Sequence, residues 1–154
     1  MIPREDPLFP TMVIGSLPRP EWVVELIDQR TSGRISTTET DRVLDDAIPS
    51  VIRMQERAGL DYISDGEWRR ENYARVFADK VGGFVREPVQ RGRQTLSAVV
   101  VRELERRGPI VSDEAEFLRH HTNRKIIVAL PTPSTIADLM WHPQHSASAY
   151  PPRE

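Results

Sequence analysis

Three short runs carry residue types that could hold a small polar molecule. Asp65-Gly66-Glu67 sets a carboxylate on either side of a glycine. A carboxylate so placed can pair with an ammonium group or serve as a general base. The same two residues could instead cap and charge-complement a following helix, and spacing alone does not choose. Ile14-Gly15-Ser16 offers a glycine that lets a ligand approach the backbone, where exposed N–H and C=O groups could grip it. It also reads as a plain connecting turn. Leu130-Pro131-Thr132, followed by Ser134 and Thr135, supplies hydroxyls that cap a helix or, with that helix's N-terminus, bind an anion. Capping is the favoured reading there.

The four histidines invite a metal reading that their neighbours discourage. His142 and His145 are three apart, which on a regular helix would share a face, but Pro143 lies between them. His120 and His121 are adjacent and diverge on a helix. The chain has no cysteine, so thiolate nucleophiles, disulfides and thiolate-held zinc are excluded within it. All four histidines are read as structural or surface residues, no metal ligand is assigned, and Trp141 and Phe84 are read as packing residues.

These runs need elements to position them, and each follows a short apolar stretch. Thr11 to Ile14 is bounded by Gly15 and by Pro18 and Pro20, as a buried parallel strand would be. Pro20 suits the first turn of a helix that carries Trp22, Val23, Leu26 and Ile27 up to Gly33. Ser36-Thr37-Thr38-Glu39 has capping-box spacing and opens a second helix, with an apolar stripe from Val43 to Met54, a bend at Pro49 and an end at Gly59. Leu60 to Ser64 reads as a second strand, and Trp68 to Val81 as a helix closed by Gly82-Gly83. Val99–Val101 and Pro109–Val111 suggest a hairpin turning near Arg106-Arg107-Gly108. Ser112-Asp113-Glu114 caps a helix to about His121. Lys125 to Leu130 reads as a third buried strand, Ser134 to Trp141 as its helix, and the tail as loop. Strands alternating with helices make the class α/β with parallel strands. Three strands are few beside the eight, over about 250 residues, of a closed (β/α) barrel. A single, partial domain spanning 1–154 is the expectation.

Composition narrows the partners. The 154 residues are 38% hydrophobic and 29% charged, with net charge −2 and a pI near 6.1. Neither nucleic acid nor an anionic membrane is favoured as partner. The apolar runs are too short to cross a bilayer. Met-Ile-Pro-Arg-Glu-Asp lacks both the basic start and the apolar stretch of a signal peptide, so a cytoplasmic location is expected. Lys80 and Lys125 are the only lysines among 21 basic residues, an arginine bias that marks a GC-rich genome rather than a binding patch.

Taken in order, the three runs resemble the opening part of the catalytic barrel of cobalamin-independent methionine synthases. The resemblance rests on Phe9 to Pro20, on Gln55 to Arg70, and more weakly on Lys125 to Ala137; Tyr150 to Glu154 is similar to the start of the next helix. It implies about the first three βα units of a TIM-type (β/α)8 barrel, in a superfamily that includes porphyrin decarboxylases. It further implies that Ile14, Gly15 and Ser16 hold a homocysteine carboxylate and that Glu67 takes the homocysteine amino group. Asp65 stands where the family varies and receives no role. Family members use zinc, held by a His, two Cys and an acidic residue in later strands, to make homocysteine a thiolate. Those ligands and most of the folate side lie beyond this sequence, so it is not expected to transfer a methyl group alone.

The implied reaction moves a methyl group from methyltetrahydrofolate, or from a methylated corrinoid protein, to homocysteine. Two other readings stay open: a related alkyltransferase acting on a thiol such as coenzyme M, and a non-catalytic fragment or assembly subunit whose exposed sheet edge is completed by a second chain or a dimer.

Overall fold

In the computed structural model, residues 7–151 are described. The leader reading over residues 1–6, and most of the helix start expected at 150–154, fall outside them. In chain order the elements are α1 (Glu21–Thr31), α2 (Thr37–Arg57), β1 (Tyr62–Ile63), α3 (Arg75–Lys80), β2 (Val81–Val85), β3 (Val89–Arg91), β4 (Gln94–Leu96), β5 (Val99–Arg106), α4 (Ser112–His121), β6 (Lys125–Ile126) and α5 (Pro133–Met140). The α/β class holds. No helix among the described residues is long and apolar enough to cross a membrane. The chain divides into two compact units: the first runs through Arg69 and adds Val111–Ala129; the second comprises Arg70–Ile110 and the chain from Leu130 on.

The first unit is organised by α2. Ser36 caps it, its hydroxyl accepting from the Glu39 amide at 3.1 Å. Leu44, Ile48, Val51 and Ile52 recur at helical spacing and are fully buried. They pack with Val23 and Ile27 of α1, Ile63 of β1, Leu118 of α4 and Trp68 in one core. Pro49 lies inside the continuous helix rather than ending it, and Gly59 follows its end at φ 82°.

Against that core lie the three apolar runs, with less ladder than expected. β1 and β6 pair in parallel over two residues, Tyr62 with Lys125 and Ile63 with Ile126. The run from Thr11 to Ile14 is not a buried strand: Ile14 is 86% exposed. It is tied to the second run at Thr11, whose carbonyl accepts from the amides of Asp61 and Tyr62. The Asp61 carboxylate accepts from the Thr11 amide at 2.8 Å and hydroxyl at 2.9 Å. A side-chain clamp replaces the ladder. The third run is half-buried, and only its first two residues are strand.

The second unit differs most from the sequence reading. Trp68 to Ala74, which lead into it from the first unit, turn rather than coil into a helix, and only Arg75–Lys80 is helical. Gly82-Gly83 does not close that helix but lies inside β2, which pairs antiparallel with β5. The register slips between Gly82 and Phe84, and Gly83 sits at φ 101°. A Cβ on Gly83 would stand 2.7 Å from the Glu103 carbonyl oxygen, so only glycine lets the bulged strand come this close. β5 pairs with β2 and not with residues 109–111, and the tight hairpin is formed by β3 and β4. One apolar cluster here comprises Ala74, Ala78, Ala98 and Met140, flanked by Phe84, Ile136 and Leu139, and Leu96 and Val99 of the strands are buried as well.

Candidate functional site

Two of the three chemistry-bearing runs meet in the first unit. The Ser16 hydroxyl donates to the Glu67 carboxylate at 2.7 Å, joining residues 51 apart in sequence. The Leu17 amide donates to the Gly66 carbonyl at 3.1 Å. Gly66 is held between α2 and the first run: a Cβ there would meet Val51 Cγ1 at 3.0 Å and Leu17 Cβ at 3.2 Å. That close approach, with φ 69°, requires glycine. Glu67 is itself left-handed at φ 58°, the one non-glycine residue with positive φ among those described. It is also 4% exposed. A small depression opens beside Glu67, lined by Val13, Ile14, Gly15, Ser64, Asp65 and Glu67, with Ile127 and Ala129 adding an apolar side. Carboxylate, hydroxyl and bared backbone thus lie beside a greasy wall. Such a surface suits a small zwitterion with a short apolar chain.

Behind the depression a second layer fixes the Asp65-Gly66-Glu67 turn. Gln55, 2% exposed, reaches from the end of the α2 stripe. Its Nε2 donates to the Ser64 carbonyl at 2.7 Å and its Oε1 accepts from the Ser64 amide at 3.1 Å. Ser64 Oγ in turn accepts from the Gly66 amide at 3.1 Å. Asp65 Oδ1 accepts from the Glu67 amide at 2.8 Å. Arg19 donates to the Glu67 carbonyl at 2.8 Å. Burial lowers the pKa of Arg19 from its ordinary value; the Glu67 charge opposes that shift, Arg30 adds to it, and Asp65 opposes it.

The sequence singles out Ile14, Gly15, Ser16 and Glu67, names Asp65 without giving it a role, and does not single out Gln55 or Arg19. Gln55 had a signal: an amide three residues after Ile52, on a buried stripe, needs partners. Arg19 had one too, since prolines on both sides hold its backbone extended. Leu130-Pro131-Thr132 belongs to the second unit and does not line the depression. There Thr132 caps α5, its hydroxyl accepting from the Thr135 amide at 3.2 Å, as favoured from sequence.

The histidines are structural or surface residues. His142 is buried; its Nδ1 accepts from the Gln144 amide at 3.1 Å. Its proton is therefore on Nε2, which donates to the Gln90 carbonyl at 3.0 Å. Its own amide donates to Ser146 Oγ, which donates to the Val100 carbonyl. His145 is exposed beside it. His121 stacks on Phe117 at 4.0 Å and bonds the Phe117 carbonyl. Among the described residues no group of three or more His, Cys, Asp or Glu could hold a metal ion.

Known proteins are similar to this chain. Residues 9–142 match the family described as cobalamin-independent synthase, catalytic domain. The chain is 34% identical over 147 residues to a methionine synthase of Thermococcus kodakarensis, covering 93% of this chain and 44% of the relative. It is 36% identical over 138 residues to that of Pyrococcus furiosus, covering 87% and 41%. Among solved structures it is similar to a B12-independent methionine synthase from Shewanella sp. in complex with selenomethionine. That match has a TM-score of 0.68 and 27% identity, covering 83% of this chain and 39% of the other. The chain spans about two-fifths of the length of these relatives.

Proposed function

The chain belongs to the cobalamin-independent methionine synthase family, and on that premise we propose that its first unit is the amino-acid grip of a homocysteine S-methyltransferase. The observation that carries the reading is the Ser16–Glu67 contact at 2.7 Å beside Gly15. The Glu67 carboxylate takes the ammonium group of homocysteine. The Ser16 hydroxyl, turning from Glu67, and the backbone of Ile14-Gly15-Ser16 take its carboxylate. Val13, Ile127 and Ala129 accept the methylene chain. The selenomethionine named with the Shewanella relative is chemically close to the product, which supports an amino-acid ligand.

In the whole enzyme the homocysteine sulfur takes the methyl group of methyltetrahydrofolate, giving methionine. The parallel β1–β6 pair backed by α1, α2 and α4 supports placing this unit among the opening βα units of a (β/α)8 barrel. The remaining strands and the folate side come from outside these 154 residues, in keeping with the two-fifths coverage. Zinc does not fit the described residues, which offer no ligand group, and the chain has no cysteine.

Titration calorimetry of the 154-residue chain tests the grip. L-homocysteine is expected to bind, coenzyme M, which has no amino group, to bind more weakly, and Glu67→Gln to lose about tenfold or more in homocysteine affinity. Equal affinity for both thiols, or an unchanged Glu67→Gln variant, would sink the reading.

A further inference from the structure

A glutamate in the left-handed region is disfavoured, because its Cβ crowds the following carbonyl. Such a conformation persists where its surroundings over-determine it, and it clusters at ligand sites. Glu67 is held at both ends of its own residue. Its amide donates to Asp65 Oδ1 at 2.8 Å, and its carbonyl accepts from Arg19 at 2.8 Å. The Asp65 bond closes a short loop from residue i to i+2, the Asx arrangement that stabilises a sharp turn. Arg19 arrives from the other run, between two prolines that limit its backbone. These bonds leave the carboxylate to reach Ser16 and the depression. In an ordinary strand or helix conformation the same side chain would leave the Cα in another direction.

We propose that Asp65 and Arg19 are positioning residues that clamp Glu67 in its left-handed conformation, and so set the site's preference for a ligand bearing an amino group. The proposal rests on the reading of Glu67 as the ammonium partner. Arg19 does not line the depression and Asp65 does; in this scheme both act through Glu67. Asp65 therefore has a task even though the family varies at its position.

The test uses the full chain and its Asp65→Ala, Asp65→Asn and Arg19→Gln variants, with two readouts. The first is NMR of Glu67: the backbone HN–Hα coupling, which reports φ, and amide hydrogen exchange. Asp65→Ala and Arg19→Gln are expected to shift the coupling, and Asp65→Ala to speed exchange of the Glu67 amide about tenfold. Asp65→Asn retains an acceptor oxygen and should stay near the parent on both. The second readout is affinity for L-homocysteine and for its desamino analogue, 4-mercaptobutanoate. The two damaging variants should weaken homocysteine about tenfold and the analogue less than about twofold, with Asp65→Asn restoring the difference. A general structural defect would weaken both ligands alike. An unchanged Glu67 coupling in both damaging variants, or equal losses for the two ligands, would overturn the clamp. If homocysteine does not bind the parent at all while the coupling shifts as stated, the clamp stands and the functional reading falls.

Discussion

The two units stabilise themselves by different means. The first rests on large branched side chains from one long helix: Leu44, Ile48, Val51 and Ile52 are all essentially inaccessible. The second has a cluster of alanines and one methionine beside the buried Leu96 and Val99 of its strands, and it adds polar pins. There Ser146 Oγ reaches the Val100 carbonyl, His142 the Gln90 carbonyl, Arg91 the Trp141 carbonyl, and Tyr150 hydroxyl accepts from the Leu104 amide. Apolar burial is non-directional and scales with area. Hydrogen bonds contribute less net free energy but fix geometry. The unit that holds the candidate site is the one built on a single long apolar helix stripe.

Truncating each kind of support tests that contrast. Ile48→Ala removes a fully buried side chain and is expected to destabilise by about 2–5 kcal/mol in urea or guanidinium unfolding. A loss below that range would show that the first unit does not depend on its helix stripe. Gly83→Ala adds a Cβ 2.7 Å from a carbonyl oxygen at positive φ and is expected to cost about 2 kcal/mol. Hydrogen exchange should localise its effect to β2 and β5; undisturbed protection there would mean that the bulge relaxes freely. Ser146→Ala removes one donor and one acceptor from buried partners and should cost about 1–2 kcal/mol. A Ser146→Ala loss as large as that of Ile48→Ala would erase the distinction between the units.

The same contrast explains what the sequence made legible. In the first unit the signals are local: Ser36 to Glu39 marks a helix start, Gly59 its end, and the α2 stripe has one period. Ser16 and Glu67 stand out in the sequence as members of two turns, and the contact between them is what the structure adds. In the second unit the deciding interactions are non-local. Gly82-Gly83 looks like a stop until Glu103, twenty residues on, shows why a strand needs glycine there. Val99–Val101 reads as extended from sequence, but the strand runs on to Arg106 through exposed, mostly charged residues and pairs with β2. Thr11 to Ile14 misled in the opposite way. Its apolar residues suit a buried strand, but only Thr11 is tied to the next run, and by a carboxylate that periodicity does not reveal.

Gln55 has a consequence beyond holding its neighbour. A primary amide offers one donor and one acceptor side by side, so it can read a single residue's C=O and N–H together, much as one base reads another. It reads Ser64 and no other residue of that run. Sliding the run by one position would bring up Ile63 or Asp65, whose side chains would then exchange faces. Gln55 thereby serves as an index mark between helix and strand. The phase it sets decides that the carboxylate arriving two bends later is that of Glu67, facing Ser16.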